Sequence, residues 1–507
     1  MQNRFAFLLA IALLMAGCRP TTATPTPMPA PTLDAGIPAT VFDTPWSDRS
    51  MYAAGLHGSQ QAVLDGLPGA SVYHLDLTIA SDLRTVDGVE EVLYTNTEDA
   101  PLEEVALHLF PNLLGGEMTL STVRVDGAEV RPSYGEGDGS VLIPLTPALD
   151  PGASVALQID FHVRVPEDLE LNYGVLASSF GVLAYAHGYP MVAVYDSDGW
   201  DLDLPPRYGD ITYADASFYL VRVRAPANLV LCGSGMELAR TEADGQQEIT
   251  LAAGPARDFY LAASREYQVI TSTAGDYTLR ICATNEMRGK AERTLETAGR
   301  ALEAFGAWYA EYPYTKLDIV ATPTLALGIE FPGAFALNEL LLTPDDDFGG
   351  EEDTWLESTI VHEAAHEWFY SLVGNDQVED PWLDESLAQY AMLRYYAKQY
   401  GEAGAAGMRE SFYGRWDRVE REDIPIGMPV AAYDDVTYFA IVYGRGPLFF
   451  EALQQAMGEE SFDAFLREYT AAFSWEEATP EGLQQHAEAE CQCDLDDLFN
   501  EWVYGSP

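Results

Sequence analysis

The chain has 507 residues, and its 80 acidic and 27 basic side chains give a formal net charge of −53. A surface of this charge repels nucleic acid and anionic lipid headgroups, which argues against both as partners. The length suggests two or three domains, and the hydrophobic fraction of 48 % indicates that most of the chain folds.

The N-terminus is typical of a bacterial lipoprotein signal. Arg4 precedes an apolar run at residues 5–15 that is too short to span a membrane, and the segment ends at Cys18 after two small residues. We predict a signal peptide over residues 1–18 with Cys18 as the acylated residue; an ordinary secretory signal is the alternative. The predicted location is extracytoplasmic, with the membrane contacted through a lipid anchor only.

Residues 19–64 are predicted to be a Pro/Thr-rich tether and lead-in, extended as far as about Thr44. Residues 65–270 are predicted to form an antiparallel β domain, because short alternating strands are separated by turn signals such as Asp87-Gly88 and Asp126-Gly127. The histidines of this part show no metal-ligand spacing, so we predict structural or solvent-facing roles for His57, His74, His108 and His162.

The hydrophobic period changes after residue 270. Residues 285–312 are predicted to form a long amphipathic helix, and strands are predicted from Lys316, near 327–333 and from Phe335. An acidic run at residues 345–353 is interpreted as a solvated loop. The remainder is predicted to be mainly helical, with helices near 404–417, 436–456, 461–473, 481–490 and 494–503.

The motif His362-Glu363-Ala-Ala-His366 lies in this last part of the chain. On a helix the two histidines share one face, so both imidazoles can reach one metal ion, and zinc accepts neutral imidazole with a carboxylate. Glu363 is then placed to take a proton from water. Glu385, at the start of the next helical pattern, is the leading candidate for the third ligand. A helix with two surface or capped histidines is the alternative interpretation.

Four cysteines remain after the signal: Cys232, Cys282, Cys491 and Cys493. Their pairing cannot be read from the sequence. Cys491-Gln-Cys493 lacks the spacing of a zinc knuckle or a redox pair, so we interpret it as structural.

These residues resemble the zinc aminopeptidases of the membrane alanyl aminopeptidase and leukotriene hydrolase family. The resemblance rests on three segments: the H-E-x-x-H-x18-E spacing that ends at Glu385, the stretch from Gly328 to Gly333 (similar to the family's G-x-M-E-N), and Tyr443-Gly-Arg-Gly (similar to Y-x-K-G). It covers roughly residues 70 to 505. It implies an α+β multidomain fold, in which the β domain is followed by a thermolysin-like zinc-metallopeptidase domain over residues 271–507. The second domain would combine a small mixed sheet with a mainly helical C-terminal part.

The resemblance also implies site roles. One Zn²⁺ per chain would be held by His362, His366 and Glu385, and Glu363 would activate water. Tyr443 would stabilise the oxyanion, with Tyr438 as a weaker candidate.

On the substrate side, Glu330, next to Gly328, would bind the α-amine of a peptide substrate. We find no match in the β domain for the family's second amine-binding residue, and the stretch 195–201 is the region in which we expect it.

Several positions differ from the family pattern, and they are Ile329, Phe331, Asp384, Ser386 and Arg445. The first two are expected to reshape the pocket for the first side chain, and Asp384 and Ser386 to alter the surroundings of Glu385. The predicted function is an extracytoplasmic zinc aminopeptidase. The alternatives are a zinc endopeptidase of the same fold, a non-catalytic peptide-binding lipoprotein and, more remotely, an epoxide hydrolase.

Overall fold

The computed structural model describes residues 40–204, 208–343 and 352–505. The predicted signal peptide with Cys18, residues 19–39 of the tether and residues 345–351 of the acidic run lie outside these ranges. Within them, no helix combines the length and the apolar character that crossing a membrane requires.

The strands of the described ranges are numbered in chain order. Those of the N-terminal part are β1 Val72–Ile79, β2 Thr85–Thr95, β3 Leu102–His108, β4 Glu117–Val125, β5 Ala128–Glu129, β6 Ser133–Tyr134, β7 Ser140–Leu149, β8 Ser154–Arg164, β9 Leu176–Ser179, β10 Val182–Tyr185, β11 Met191–Val192, β12 Tyr195–Asp196, β13 Gly199–Trp200, β14 Ser217–Pro226, β15 Val230–Gly233, β16 Met236–Ala243, β17 Gln246–Ala256 and β18 Leu261–Ser264. Those of the second part are β19 Gln268–Ala274, β20 Tyr277–Ala283, β21 Lys316–Thr322, β22 Gly328–Phe331 and β23 Ala334–Asn338.

The first eighteen strands form the predicted β domain. Its large sheet has the order β16-β17-β14-β1-β2-β8-β4-β5, and two four-stranded sheets have the orders β15-β18-β10-β9 and β11-β3-β7-β6. The inward side chains of β8 are Val155, Leu157, Ile159, Phe161 and Val163, as its period of two predicts. The sheet is antiparallel except between β1 and β14, where Val72 pairs with Phe218 in a parallel ladder.

The lead-in is folded where the structure describes it. Three short 3₁₀ turns occupy Val41–Asp43, Ser50–Gly55 and Gln61–Asp65. Val41 and Tyr52 are buried with Phe218 of β14 in one apolar cluster. The expectation of an extended tether up to about Thr44 is therefore wrong for its last residues, because buried apolar area holds them on the sheet.

A mixed five-stranded sheet of order β19-β20-β21-β23-β22 begins the second part. The β20–β21 and β21–β23 pairs are parallel, and the β19–β20 and β22–β23 pairs are antiparallel. Strand β20 was not predicted, and only the first residues of β19, 268–270, were predicted to belong to the β domain. The domain boundary predicted between residues 270 and 271 falls inside β19.

Helices make up most of the rest, as predicted: α1 Arg288–Trp308, α2 Glu352–Ala365, α3 Glu385–Trp416, α4 Asp435–Ala440, α5 Gly446–Met457, α6 Glu459–Ala472, α7 Pro480–Cys491 and α8 Asp496–Phe499. The buried face of α1 includes Leu295, Leu302 and Phe305 at helical spacing. Burial of each such side chain stabilises the fold by about 1.5–3 kcal/mol.

Two predicted helix boundaries differ from the structure. The helix that begins at Glu385 and the one predicted near 404–417 are a single element, kinked at Gly401, whose φ of 64° lies in the left-handed region. The helix predicted at 436–456 is interrupted by a π-helical turn over Ile441–Arg445.

Disulfides pair Cys232 with Cys282 and Cys491 with Cys493. The first joins β15 of the β domain to β20 of the mixed sheet. Arg257 makes a second connection between the two parts: its guanidinium donates to the carbonyl oxygens of Tyr370 and Glu476, each at 2.7 Å, and contacts the carboxylate of Glu477 at 2.7 Å. These contacts fix the chain just after His366 against the β domain.

Glu90 of β2 should make the free energy of unfolding depend on pH. The side chain is fully buried, neither carboxylate oxygen has a hydrogen-bond partner among the described residues, and burial raises its pKa well above the ordinary value. The folded chain thus keeps a proton that the unfolded chain loses, so Glu90 makes stability fall as pH rises above about 4.3.

We expect the unfolding free energy of Glu90→Gln to equal that of the wild type near pH 4. As pH rises, the variant should become more stable than the wild type by about 1.4 kcal/mol for each pH unit over which Glu90 of the folded wild type stays protonated. Urea unfolding at several pH values measures the difference. Glu103→Gln, an exposed position on β3, is the control and should show no such trend. A Glu90→Gln difference that does not change with pH would contradict the prediction.

Candidate active site

His362 and His366 lie at the C-terminal end of α2. The helix ends at Ala365, so His366 is the residue directly after it rather than inside it as predicted. The one-turn spacing is kept, because the two Nε2 atoms are 3.3 Å apart. His366 Nδ1 lies 2.9 Å from the carbonyl oxygen of Phe369. A hydrogen bond from Nδ1–H to that oxygen leaves the Nε2 lone pair free for a metal.

Glu385 is the first residue of α3 and lies against both histidines, as predicted. Its Oε2 atom is 3.1 Å from His362 Nε2 and 3.6 Å from His366 Nε2. All three side chains are largely shielded from solvent, and their donor atoms lie within 4.8 Å of one another.

This donor set fits a zinc ion. Ligand atoms about 2.0–2.1 Å from a tetrahedral zinc are separated from each other by roughly 3.3 Å. The separations of 3.1, 3.3 and 3.6 Å among the three donors match this value. Two imidazoles and one carboxylate are also the donor types of catalytic zinc sites that keep one position open.

Glu363 faces the cavity beside these ligands. Its Oε2 atom is buried without a hydrogen-bond partner among the described residues, and burial together with the charge of Glu330 raises the pKa of Glu363 well above its ordinary value. Gly328 of β22 makes this position possible, since a Cβ atom there would lie 2.4 Å from Glu363 Oε1. The predicted site residue Gly328 thus gives room to the predicted base.

Tyr443 lies in the π-helical turn between α4 and α5, and its hydroxyl donates a hydrogen bond to Glu385 Oε1. The turn is braced by Ser386, whose hydroxyl donates to the carbonyl oxygen of Val442 at 2.6 Å. Gly446 leaves space for this contact, because a Cβ atom there would lie 1.9 Å from Ser386 Oγ. Ser386, which differs from the family pattern, therefore helps to hold the helix that carries Tyr443.

Of the two tyrosines considered for stabilising the oxyanion, Tyr438 is also the weaker candidate in the structure. Tyr443 lines the cavity, whereas Tyr438 is fully buried and packs against Tyr443 with ring centroids 5.8 Å apart. Burial, followed by the charge of Glu385, raises the pKa of Tyr443 well above its ordinary value. Tyr443 consequently keeps its proton at neutral pH and can donate it in a hydrogen bond.

Glu330 of β22 is 8 % exposed and lines the same cavity. Its Oε1 atom accepts a hydrogen bond from Gln377 Nε2 at 2.9 Å, and the same amide nitrogen lies 2.7 Å from Asp384 Oδ2. Burial raises the pKa of Glu330, and burial with the charge of Glu385 raises the pKa of Asp384 to about 7. Gln377 thus links the predicted amine-binding carboxylate to the residue before the third ligand.

Asp210, which was not predicted from the sequence, is a further acid at this end of the cavity. It lies on the segment before β14, lines the cavity, and has a pKa raised well above its ordinary value by burial and by the charges of Glu330 and Glu385. Among the described residues that line the cavity, none comes from 195–201, the region in which a second amine-binding residue was expected. A lone aspartate in an irregular segment carries no periodicity or motif that would have identified it.

The other departures from the family pattern have separate effects. Ile329 and Phe331 line the cavity, and Phe331 stacks on Tyr260 with ring centroids 3.9 Å apart. Arg445 is buried away from the ligands, where it donates to the carbonyl oxygens of Trp502 and Glu501 at 2.8 and 3.2 Å. It holds the C-terminal turn against α5 and has a structural role.

The fold and this site together have the arrangement of zinc metallohydrolases of the H-E-x-x-H type. Residues 293–502 match the model of the peptidase family M1 domain. This match confirms the predicted resemblance, and the fold of a similar solved structure confirms the predicted fold class.

Several relatives and solved structures are similar to the chain. A "Probable aminopeptidase 2" of Sulfurisphaera tokodaii is 22 % identical over 295 residues, which is 54 % of this chain and 36 % of the relative. Endoplasmic reticulum aminopeptidase 2 of Homo sapiens is 26 % identical over 229 residues, 43 % of this chain and 24 % of the relative. An M1 zinc metallopeptidase from Deinococcus radiodurans has a TM-score of 0.66 at 19 % identity, with 86 % of this chain and 93 % of that chain covered.

The chain spans about a third of the length of the first of these aminopeptidases and about a quarter of the second. The coverage of the Deinococcus structure is nearly complete, so both parts of the fold are shared with it.

The three predicted ligands can be tested by metal content. We expect one zinc per chain in the wild type. His366→Ala and Glu385→Ala should each lower the zinc affinity by more than about 100-fold, because loss of even an outer-shell partner of a metal site lowers the affinity by about 10–100-fold. Zinc per chain is measured by elemental analysis after equilibration with a zinc buffer. His162→Ala, a histidine exposed on β8, is the control. Full zinc content in both ligand variants would rule out this site.

Proposed function

We propose that this chain is a zinc-dependent aminopeptidase that releases N-terminal residues from peptides outside the cytoplasm. One observation carries the proposal. Two of the three ligands, His362 and Glu385, line one cavity of about 400 Å³ together with the buried base Glu363, the Tyr443 hydroxyl and a further buried acid, Glu330, and the third ligand, His366, lies against them. This volume is in the range of small-ligand sites.

The chain's own residues supply the proton transfers. A zinc ion held by His362, His366 and Glu385 would polarise the peptide carbonyl and acidify water. Glu363 accepts the proton of the attacking water, because its Oε2 lone pairs have no other partner among the described residues, and returns it to the leaving amine. The raised pKa of Glu363 suits a group that must both take and give a proton.

Tyr443 stabilises the charge that develops on the carbonyl oxygen. Its hydroxyl lies next to the ligand Glu385 and lines the cavity, so a carbonyl oxygen bound beside the ligands is within its reach. A donor of this kind acts in a site from which water is excluded, where a hydrogen bond to a developing oxyanion is strong.

Glu330 binds the substrate's α-ammonium group, and Asp210 adds a second carboxylate at the same end of the cavity. Two acids at one end fix the distance between the free amine and the scissile bond, which favours removal of one residue at a time. The relatives named aminopeptidases agree with this choice, and a mutant of the Deinococcus metallopeptidase was solved with a Tyr-Ser-Ala substrate.

The choice between exopeptidase and endopeptidase is tested with one peptide in free and N-acetylated form. We expect kcat/KM to be at least about 100-fold higher for the free amine, because acetylation removes a charge-assisted hydrogen bond to Glu330 and leaves that acid unpaired. Chromatography of the products measures both rates. Equal rates would favour the zinc endopeptidase alternative.

Glu363→Gln tests the alternative that the protein binds peptides without cleaving them. The substitution keeps the shape of the side chain and should retain zinc while kcat falls by about 100-fold to 10,000-fold. If the wild type and Glu363→Gln were equally inactive with zinc bound, the peptide-binding lipoprotein alternative would be favoured.

The location outside the cytoplasm is supported by two features of the chain. The N-terminal sequence has the lipoprotein pattern that ends at Cys18, and the described residues contain two disulfides, which persist in oxidising compartments. We expect the wild type to label with a fatty acid and to sediment with membranes, whereas Cys18→Ser does neither. Membrane-bound Cys18→Ser protein would contradict lipid anchoring at this residue.

A further inference from the structure

The cavity also has a basic end, formed by Arg415 at the end of α3 and Arg418 in the turn that follows. Both side chains line the cavity together with the ligands His362 and Glu385. Arg415 is partly buried and Arg418 is exposed, and no carboxylate of the described ranges forms an ion pair with either. Two arginines on the wall of the cavity that also contains His362 and Glu385 indicate an anionic ligand.

The contacts of Arg415 place it next to His362. Its Nη1 atom donates to Gln389 Oε1 at 3.2 Å and to the carbonyl oxygen of Tyr443 at 3.1 Å. Gln389 Nε2 in turn lies 3.3 Å from His362 Nδ1. Burial lowers the pKa of Arg415 to about 10, so the guanidinium remains charged at neutral pH. No acceptor is recorded in the described ranges for its Nε or Nη2 atoms.

The acidic end lies on the other side of the metal ligands. Glu330, Asp384 and His366 have donor or acceptor atoms within 4.8 Å of one another, whereas His362 is the ligand next to Gln389 and Arg415. The contacts therefore run in the order Glu330, His366, His362 and Arg415, of which Glu330, His362 and Arg415 line the cavity. A peptide whose amine is held at Glu330 then directs its leaving group toward the arginines.

We infer that the cavity selects peptides that carry a carboxylate on the leaving-group side of the scissile bond, with Arg415 and Arg418 as the residues that bind it. This inference rests on the proposed aminopeptidase function and specifies its substrate class. Gln389 alone bridges His362 and Arg415, and an extended residue spans about 3.3–3.6 Å, so we expect the carboxylate one or two residues beyond the scissile bond. Di- and tripeptides with a free C-terminus meet this condition.

The carboxylate has two possible sources, which are the C-terminus of a short peptide and an acidic side chain. Four substrates separate them: leucyl-alanine, its C-terminal amide, leucyl-glutamate amide and leucyl-glutamine amide. Leucine para-nitroanilide, which has no carboxylate, tests the proposed function by itself. We expect kcat/KM for leucyl-alanine to exceed that for its amide by at least about tenfold, as for a charge-assisted hydrogen bond.

Variants of the basic end test which residues are responsible. Arg418→Ala should reduce the acid-to-amide ratio of kcat/KM by about tenfold, and Arg415→Lys, which keeps the charge and removes the planar fork, by a smaller factor. Arg421→Ala is the matched control: this arginine is three residues further on, is exposed, and pairs with Asp417 through Nη2 at 3.1 Å. Its acid-to-amide ratio should equal that of the wild type.

Binding provides a readout that needs no turnover. In the Glu363→Gln variant, calorimetry should show tighter binding of leucyl-alanine than of its amide, and Arg418→Ala added to this variant should remove the difference.

Equal kcat/KM for acid and amide, with leucine para-nitroanilide still hydrolysed, would overturn the inference and leave the proposed function standing. If leucyl-glutamate amide were preferred over leucyl-glutamine amide while leucyl-alanine were not preferred over its amide, the carboxylate would be that of a side chain. This result would also support the role of the basic end. If neither leucine para-nitroanilide nor any peptide were cleaved by zinc-loaded protein, both the proposed function and the inference would fall.

Discussion

Two helix ends meet at the metal ligands, and the rest of the site depends on how closely they meet. The end of α2 presents His362 and His366, and the first residue of α3 presents Glu385, so that three electron-rich donor atoms are held 3.1–3.6 Å apart. Lone pairs at this distance repel one another unless a cation or a proton lies between them. The surrounding fold must therefore supply enough packing to hold them, and the buried aromatic and aliphatic residues of the second part do so.

Polar contacts direct the chain around these ligands. Arg257 fixes the segment after His366 to the β domain, and Gln377 joins Glu330 to Asp384. Each contact connects a residue near the metal to an element that is far from it in sequence. The β domain is thus part of the site's support, although it contributes none of the three ligands.

Local sequence patterns predicted the helices on which the candidate site residues lie. The spacing of His362, Glu363 and His366 and the distance along the chain to Glu385 predicted that these four residues lie close together, and the structure places them so. Tyr443 and Glu330 required the family resemblance, because an aromatic residue in a helix and an acid on an edge strand are ambiguous by themselves.

What could not be predicted depends on contacts across the fold. Asp210, Arg415 and Arg418 reach the cavity because of how the loop before β14 and the end of α3 pack, and no local pattern distinguishes them from solvated charges. The π-helical turn at Tyr443 and the parallel pairing of β1 with β14 are likewise tertiary outcomes that override local propensity.

The contact between Ser386 and the helix of Tyr443 has an evolutionary consequence. Ser386 Oγ occupies the space in which a side chain at position 446 would begin, and it satisfies a carbonyl oxygen at Val442. A Cβ atom at 446 would also lie 2.7 Å from Ser386 Cβ, so removal of the hydroxyl alone would not make room for it. Glycine at 446 should therefore persist among relatives that carry any side chain at position 386, and an exchange at 446 would displace the turn that carries Tyr443.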